Sequence, residues 1–307
     1  MAELHRIDLN WTGRPRSIAA CLIQSNGQVA LVDPGPASTL ETLRGALLTR
    51  GLQVSHLNAI LLTHIHMDHA GATGALVREN PGLAVYVHEK GAPHMADPSK
   101  LESSARRLYG DHMQRLFGHF LPVPEDNLRP LAGGETIAIG AHQMEVLYTP
   151  GHASHHVSYF DTQEGVACVG DTAGIRVEGN PYLMPATPPP DIDLEVWEES
   201  LGKILERSPA RLFLTHFGFV NDPAEHIGRY RDALHGWGAI IGILLRAYGE
   251  EGAPAAFVEQ MSDEIRRSVS ADDAEHYLFN GGLELSWAGL ARYWKKQSAA
   301  PSPAPSL

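Results

Sequence analysis

The chain has 307 residues, 43% hydrophobic and 20% charged, which suits one large domain, or one domain with an appendage, built on a sizeable core. Its net charge of −12, with no cluster of Lys and Arg, excludes a phosphate backbone as main partner, because nucleic-acid binding needs a dense positive field. No uncharged apolar run approaches the roughly 18 residues of a membrane span, and Met1-Ala2-Glu3-Leu4-His5 lacks the basic-then-apolar pattern of a signal peptide. The expectation is a soluble, cytoplasmic protein with no membrane partner.

In chain order, residues 17–24 and 29–33 read as strands joined by Ser25-Asn26-Gly27, and Asn-Gly between apolar runs is a strong hairpin signal. Residues 39–50 read as a helix, with Leu40, Leu43 and Leu47 on one face and Gly51 as the stop. A strand over 59–63 follows, then a helix over 70–79 ended by Asn80-Pro81-Gly82, then a strand over 84–88. Residues 98–120 have helical spacing with Tyr109, Phe117 and Phe120 as aromatic bulk. Ordinary packing is the default there, and a lid over a substrate pocket is the alternative. Strands are expected over 136–139, 144–148, 157–161, 165–170 and 211–215, with a helix over 194–207. Residues 174–192 are proline-rich and irregular; they read as a surface loop, with pocket lining by Tyr182 and Met184 as the alternative.

From Pro223 the pattern turns helical. Ile227, Tyr230, Leu234, Trp237, Ile241, Leu244 and Tyr248 form an apolar stripe at spacings of three and four. Packing on the rest of the chain is the default for this stripe; a homodimer seam is the alternative. Helices over 255–269 and 283–296 follow, with a short one over 272–277 between them, and residues 298–307 are Pro/Ser/Ala-rich and expected to be disordered. The division is therefore 1–222, 223–297 and 298–307. Cys21 and Cys168 sit in apolar strand-like runs and are expected to be buried free thiols.

The chemistry concentrates at Thr63-His64-Ile65-His66-Met67-Asp68-His69, between the apolar run 59–62 and the small residues Ala70-Gly71-Ala72. His64 and His66, two apart on extended backbone, point the same way, while Asp68 and His69 fall where the chain turns into a helix and face a second point. Imidazoles and carboxylates are the usual donors to zinc and iron. A polar loop with surface histidines does not account for so specific a pattern.

This stretch resembles the principal metal motif of the metallo-β-lactamase superfamily, and further segments resemble that family's motifs in the expected order: Val32-Asp33-Pro34-Gly35, Thr149-Pro150-Gly151-His152, Val169-Gly170-Asp171-Thr172 and Leu214-Thr215-His216-Phe217-Gly218. The match covers roughly residues 15–222. It implies an α/β fold, a four-layer αββα sandwich, here with a C-terminal helical extension; the residue pattern alone says only that α and β are mixed. It implies two divalent metal ions, the first held by His64, His66 and His152, the second by Asp68, His69 and His216, with Asp171 between them. Zinc is the first choice of ion, with iron and manganese as alternatives, because no ligand is a thiolate. It implies a metal-bridging hydroxide as nucleophile, with Asp68 or Asp171 passing the proton to the leaving group, on a small ester, lactone or related acyl substrate. A non-haem iron oxidoreductase on the same fold is the alternative. Asp33 is either a turn residue or, by resemblance, a hydrogen-bonding support of the metal loop. His156 is expected to hydrogen-bond structurally, and His155 stands where many relatives have glycine and is assigned nothing. Departures narrow the choice: Thr172-Ala173-Gly174-Ile175-Arg176 does not resemble the corresponding segment of glyoxalase II or persulfide dioxygenase, Gly174 stands where quorum-signal lactonases often carry tyrosine, and Asp171 stands where a β-lactamase would use cysteine.

Overall fold

The structure is a computed structural model that describes residues 3–299. Two six-stranded sheets each run in chain order from edge to edge. The first is β1 (Glu3–Asp8), β2 (Ala19–Ser25), β3 (Gln28–Val32), β4 (Ala59–Leu61), β5 (Ala84–His88) and β6 (Leu128–Leu131). It is antiparallel as far as β3 and parallel from β3 to β6. The parallel steps need crossovers, which the helices supply: α1 (Leu40–Leu48), α2 (Met67–Ala70), α3 (Thr73–Glu79), α4 (Ala92–Ala96), α5 (Ser99–Tyr109) and α6 (Met113–Phe117). The second sheet is β7 (Thr136–Ile139), β8 (His142–Tyr148), β9 (Val157–Asp161), β10 (Val166–Cys168), β11 (Arg211–Leu214) and β12 (Gly218–Val220). Its one parallel pair is β10 with β11, and α7 (Leu194–Glu206) lies in the connection between them. Three helices follow: α8 (Pro223–Ser268), which breaks at Gly249 (φ 66°), α9 (Ala271–Gly281) and α10 (Leu283–Ala299).

Strand periodicity produces the layers. On β2, Ala19, Cys21 and Ile23 face the space between the sheets, while Ala20 and Leu22 face the first helical layer. On β10 and β11, Val166, Cys168 and Phe213 face between the sheets, and Ala167, Leu212 and Leu214 face the second helical layer. Both faces of each central strand are thus buried, which is why these segments read as continuous apolar runs. The result is an αββα sandwich with a C-terminal helical segment. Cys21 and Cys168 are buried free thiols in its middle.

Three strands lie outside the sequence expectations, each for a local reason. β1 buries only Leu4 and Ile7, so it lacks period-two alternation. β6 carries Pro130 and is an edge strand, the one place a sheet tolerates proline. β12 has three residues. The helix expected over 70–79 is two helices, α2 and α3, with the turn between them at Gly71. Pro36 and the Met67 carbonyl leave no room for a Cβ at that glycine.

The apolar stripe of α8 packs inside the chain. Ile227, Tyr230, Leu234, Trp237, Ile241 and Leu244 are buried against α7, α9 and α10, while Tyr248 is 60% exposed. Of the segment expected to be disordered, Ser298 and Ala299 continue α10 and 300–307 lie outside the described residues. Among the described residues no helix is long and apolar enough to cross a membrane.

Candidate metal centre

All seven predicted donors converge at one end of the sandwich, each delivered by the C-terminal end of a strand or the turn after it. β4 runs through Leu62-Thr63 to His64 and His66, and the single-turn helix α2 carries Asp68 and His69. The β8–β9 turn supplies His152, the end of β10 supplies Asp171, and the end of β11 supplies His216. His64 Nε2 and His152 Nε2 lie 2.9 Å and 3.0 Å from His66 Nδ1. These three nitrogens form one donor group, and Asp68, His69 and His216 form another. Asp171 lies between them: Oδ2 is 3.5 Å from His152 Nε2, and Oδ1 is 3.1 Å from His69 Nε2 and 3.7 Å from His216 Nε2. His64, His69, His152, Asp171 and His216 are buried.

Most of the rings are held by their far nitrogen. His152 Nδ1 donates to the Ala186 carbonyl and His216 Nδ1 to the Ser17 carbonyl, both at 2.8 Å. A carbonyl only accepts, so in each ring Nδ1 carries a proton and Nε2 is the nitrogen that faces the centre. His69 Nδ1 donates to Asp33 Oδ2 at 2.8 Å. Asp33 is fully buried at φ 49° and also accepts from the Thr63 amide, the Thr63 hydroxyl and the Thr215 hydroxyl. It therefore ties the His64 loop to the His216 strand, the support role that the resemblance implied. His156 has the hydrogen-bonding role expected of it. Its Nε2 accepts the Asp171 amide at 3.3 Å, and its Nδ1 meets the hydroxyls of Thr149 and Thr172. Gly170, at φ 48°, has no room for a Cβ between Thr63 and His156, which sets the backbone before Asp171.

The electrostatics divide the site. Burial, reinforced by the neighbouring imidazoles, drives His64 far below the usual histidine range, and burial followed by His152 lowers His66 to about 4. Burial lowers His152 as well, against the opposing charge of Asp171. The other half is ionic. Burial opposes ionisation of Asp171, but His69, His216 and His152 together hold it well below the carboxylate range. Asp68 is lowered to about 2 by His69 and His216 against the same burial cost. His69 and His216 are raised in return, burial being outweighed by the carboxylates. His64, His66 and His152 are thus held neutral and both carboxylates ionised, the forms that ligate metals, whereas His69 and His216 would give up a proton to do so. His69 Nε2 and Asp171 Oδ1 are buried 3.1 Å apart as an ion pair, without the angle of a good hydrogen bond and with no other partner among the described residues. Poorly satisfied buried polar atoms are costly, and a cation beside them would satisfy both.

A cavity of about 140 Å³ opens onto this centre, lined by His66, Asp68, Asp171 and His216. Its walls come from three distant parts of the chain. Trp11 stands 5.9 Å from Phe117 and 5.1 Å from Phe279, ring centre to ring centre. Tyr109 and Leu116 of α5 and α6 join them, with Asn280, Gly282 and Leu285 from the corner between α9 and α10. Both helical segments thus line the cavity, the lid alternative for 98–120 included. Most of the aromatics of the last helices do not: Tyr277, Trp287 and Tyr293 are in the core and Trp294 donates to the Gly238 carbonyl. Tyr182 and Met184 do not line it either. Tyr182 hydrogen-bonds Glu264, and Met184 is fully buried against Gly281. His155 lies with its ring parallel to that of His64 at 6.2 Å, and burial, then His66, lowers its pKa to about 3. No sequence signal picks out Trp11 or Asn280 for the cavity.

A profile described as the metallo-beta-lactamase superfamily matches residues 13–216. The chain belongs to that superfamily. A metallo-beta-lactamase fold-containing protein of Sulfurisphaera tokodaii is 31% identical over 54% of this chain and 62% of its own length. A hydroxyacylglutathione hydrolase of Legionella pneumophila is 28% identical over 48% of this chain and 43% of its own length. The chain thus spans less than two thirds of either relative. A metallo-beta-lactamase family protein of Thermus thermophilus shares the fold, at TM-score 0.68 and 22% identity, over 99% of this chain and 96% of that one. Superfamily membership makes divalent metal binding and hydrolytic chemistry the general expectation, and the His/Asp cluster could hold metal.

Proposed function

We propose that this chain is a dinuclear metal-dependent hydrolase acting on a small ester, lactone or related acyl compound. In this reading His64, His66 and His152 hold one divalent ion, Asp68, His69 and His216 hold the other, and Asp171 reaches both. The observation that carries it is the convergence of seven His and Asp donor side chains, most of them buried, at the mouth of an apolar-walled cavity. When bound, a divalent pair supplies Lewis acidity and lowers the pKa of water to about 7. The residues supply the rest. Asp68 is the most open of the carboxylates, its side chain 25% exposed against 6% for Asp171, so it is placed to move a proton to the leaving group. Trp11, Phe117 and Phe279 exclude water from the acyl chain. The hydroxyacylglutathione hydrolase among the relatives supports acyl hydrolysis as the class. Zinc is the proposed ion, since the donors are nitrogen and oxygen with no thiolate; iron and manganese suit the same donors.

The test is metal analysis by mass spectrometry combined with assays on aryl esters, lactones, thioesters and phosphodiesters. Two metals per chain and metal-dependent turnover of an acyl substrate are expected. Stoichiometric iron with oxygen uptake on a thiol panel would move the protein to the oxidoreductase class, and no metal-dependent turnover would overturn the proposal.

A further inference from the structure

The cavity lining includes two polar side chains that the hydrolytic chemistry leaves unused, Tyr109 and Asn280, and of these only Asn280 has its polar atoms buried and unpaired among the described residues. Asn280, near the end of α9, lines it with Asp68, Asp171 and His216. Both carboxamide atoms, Oδ1 and Nδ2, are buried, and neither has a hydrogen-bond partner among the described residues. A buried amide without partners destabilises a fold, so native structures keep few of them. The surrounding backbone holds Asn280 firmly. Gly281 is packed so closely on Met184 that a Cβ would overlap it, and Gly282, at φ 51°, turns the chain into α10. The neighbouring walls are aromatic or aliphatic, from Trp11, Phe117, Phe279 and Leu285, and the described lining includes no Lys or Arg.

We infer that Asn280 binds and positions the substrate: its carboxamide, closed off from solvent in the free protein, turns about its own side-chain torsions into the cavity to pair with a neutral hydroxyl or amide group carried on an apolar acyl chain. A carboxamide offers a donor and an acceptor side by side, which suits a neutral group that does both. An anionic group at the same point would find no Lys or Arg to offset its desolvation. This assignment deepens the hydrolase reading and rests on it for the word substrate, but not for the binding itself. It also explains why the orphaned amide is tolerated: a site that waits for its ligand gives up stability in the free protein.

The experiment uses the metal-loaded full chain and two matched esters, 4-nitrophenyl hexanoate and 4-nitrophenyl 6-hydroxyhexanoate, with the corresponding non-hydrolysable ethers for calorimetry. Wild type should favour the hydroxyl ester by about tenfold in kcat/KM, the size of one hydrogen bond between neutral groups. Asn280→Leu and Asn280→Ala should erase that preference through KM, with metal content unchanged. Asn280→Leu should melt at the same temperature or higher, since it removes an orphaned amide. Equal losses on both esters, or a preference that survives both substitutions, would overturn the assignment. If wild type hydrolyses neither ester, the hydrolase reading fails for this class while the ethers still decide. Tighter binding of the hydroxyl ether, lost in Asn280→Leu, supports the role of Asn280, and equal binding of the two ethers sinks it.

Discussion

The two sides of the cavity are built on different physical principles. The donor side stands on strand ends, where β4, β8, β10 and β11 are fixed by ladders on both flanks and Asp33 links two of them. The covering side is made of Trp11, the α5–α6 segment and the α9–α10 corner, held mainly by apolar contact. α9 spans the two layers, with Tyr277 in the core under the second sheet and Phe279 packed on the core of the first. Hydrogen-bond ladders set position to fractions of an ångström, whereas apolar packing sets proximity and shape. The donor side is therefore expected to govern whether chemistry occurs, and the covering side which molecule reaches it.

The harshest way to break this comparison is to remove the cover. Truncation after Asn221 strips the buried faces of α7 and the second sheet, including Trp197 and Leu201. Each large side chain left in water loses about 1.5–3 kcal/mol of burial, so the truncated chain should be insoluble or aggregated. A soluble, monomeric product with unchanged kinetics would show that the helices are neither core nor roof. Asp171→Ala is the corresponding change on the donor side. It should cut turnover by at least about a thousandfold and lower metal content while the far-ultraviolet circular dichroism stays native. Normal activity with two bound metals would remove Asp171 from the site.

Phe279→Ala sharpens the contrast. It opens the wall beside Trp11 without touching a donor, so KM for acyl esters should rise about tenfold at constant metal content. A fall in kcat with unchanged KM would mean that the cover takes part in the chemistry. The smallest effect tests the link between the sides. His226 of α8 donates from Nε2 to the Ala173 carbonyl, two residues beyond Asp171, at 2.9 Å. Burial, with Arg176 and Arg229, lowers its pKa from 6.5 to about 4 against the bond to Ala173. Between those values the unfolded chain binds the proton and the folded chain does not, so His226 makes stability fall as pH drops from 6.5 towards 4. His226→Gln should flatten that part of the stability profile relative to wild type in urea titrations. An identical slope would show that the native histidine is free to protonate.

Much of the donor side was legible because its information is local. His64 to His69 lie in six consecutive positions, so backbone geometry alone divides them between two points. Asp33, His152, Asp171 and His216 were found through resemblance in segment order; none has a strong signal of its own. The cover was legible only as helices. Periodicity located the stripe from Ile227 to Leu244 and the segment 98–120, but could not separate Phe279, which reaches the cavity, from Trp287, which stays in the core. Both sit on the same kind of apolar pattern and differ only in which layer their helix meets. Trp11 had no pattern at all, since it lies outside the strands, in a short irregular turn over Trp11–Gly13 with no periodicity.

By itself the sequence pattern determined only that α and β are mixed; resemblance in segment order supplied the sandwich and the candidate donors. Continuous apolar runs mark the central strands as buried on both faces, and ligand types at close spacing point to metal chemistry. Tertiary structure decided the rest: that the end of α9 reaches the cavity, that Trp11 meets Phe117 and Phe279 there, and that Asn280, in the same lining as Asp68 and Asp171, has an amide unpaired among the described residues. These residues are far apart along the chain, and their contacts depend on how whole layers dock. No local periodicity encodes that.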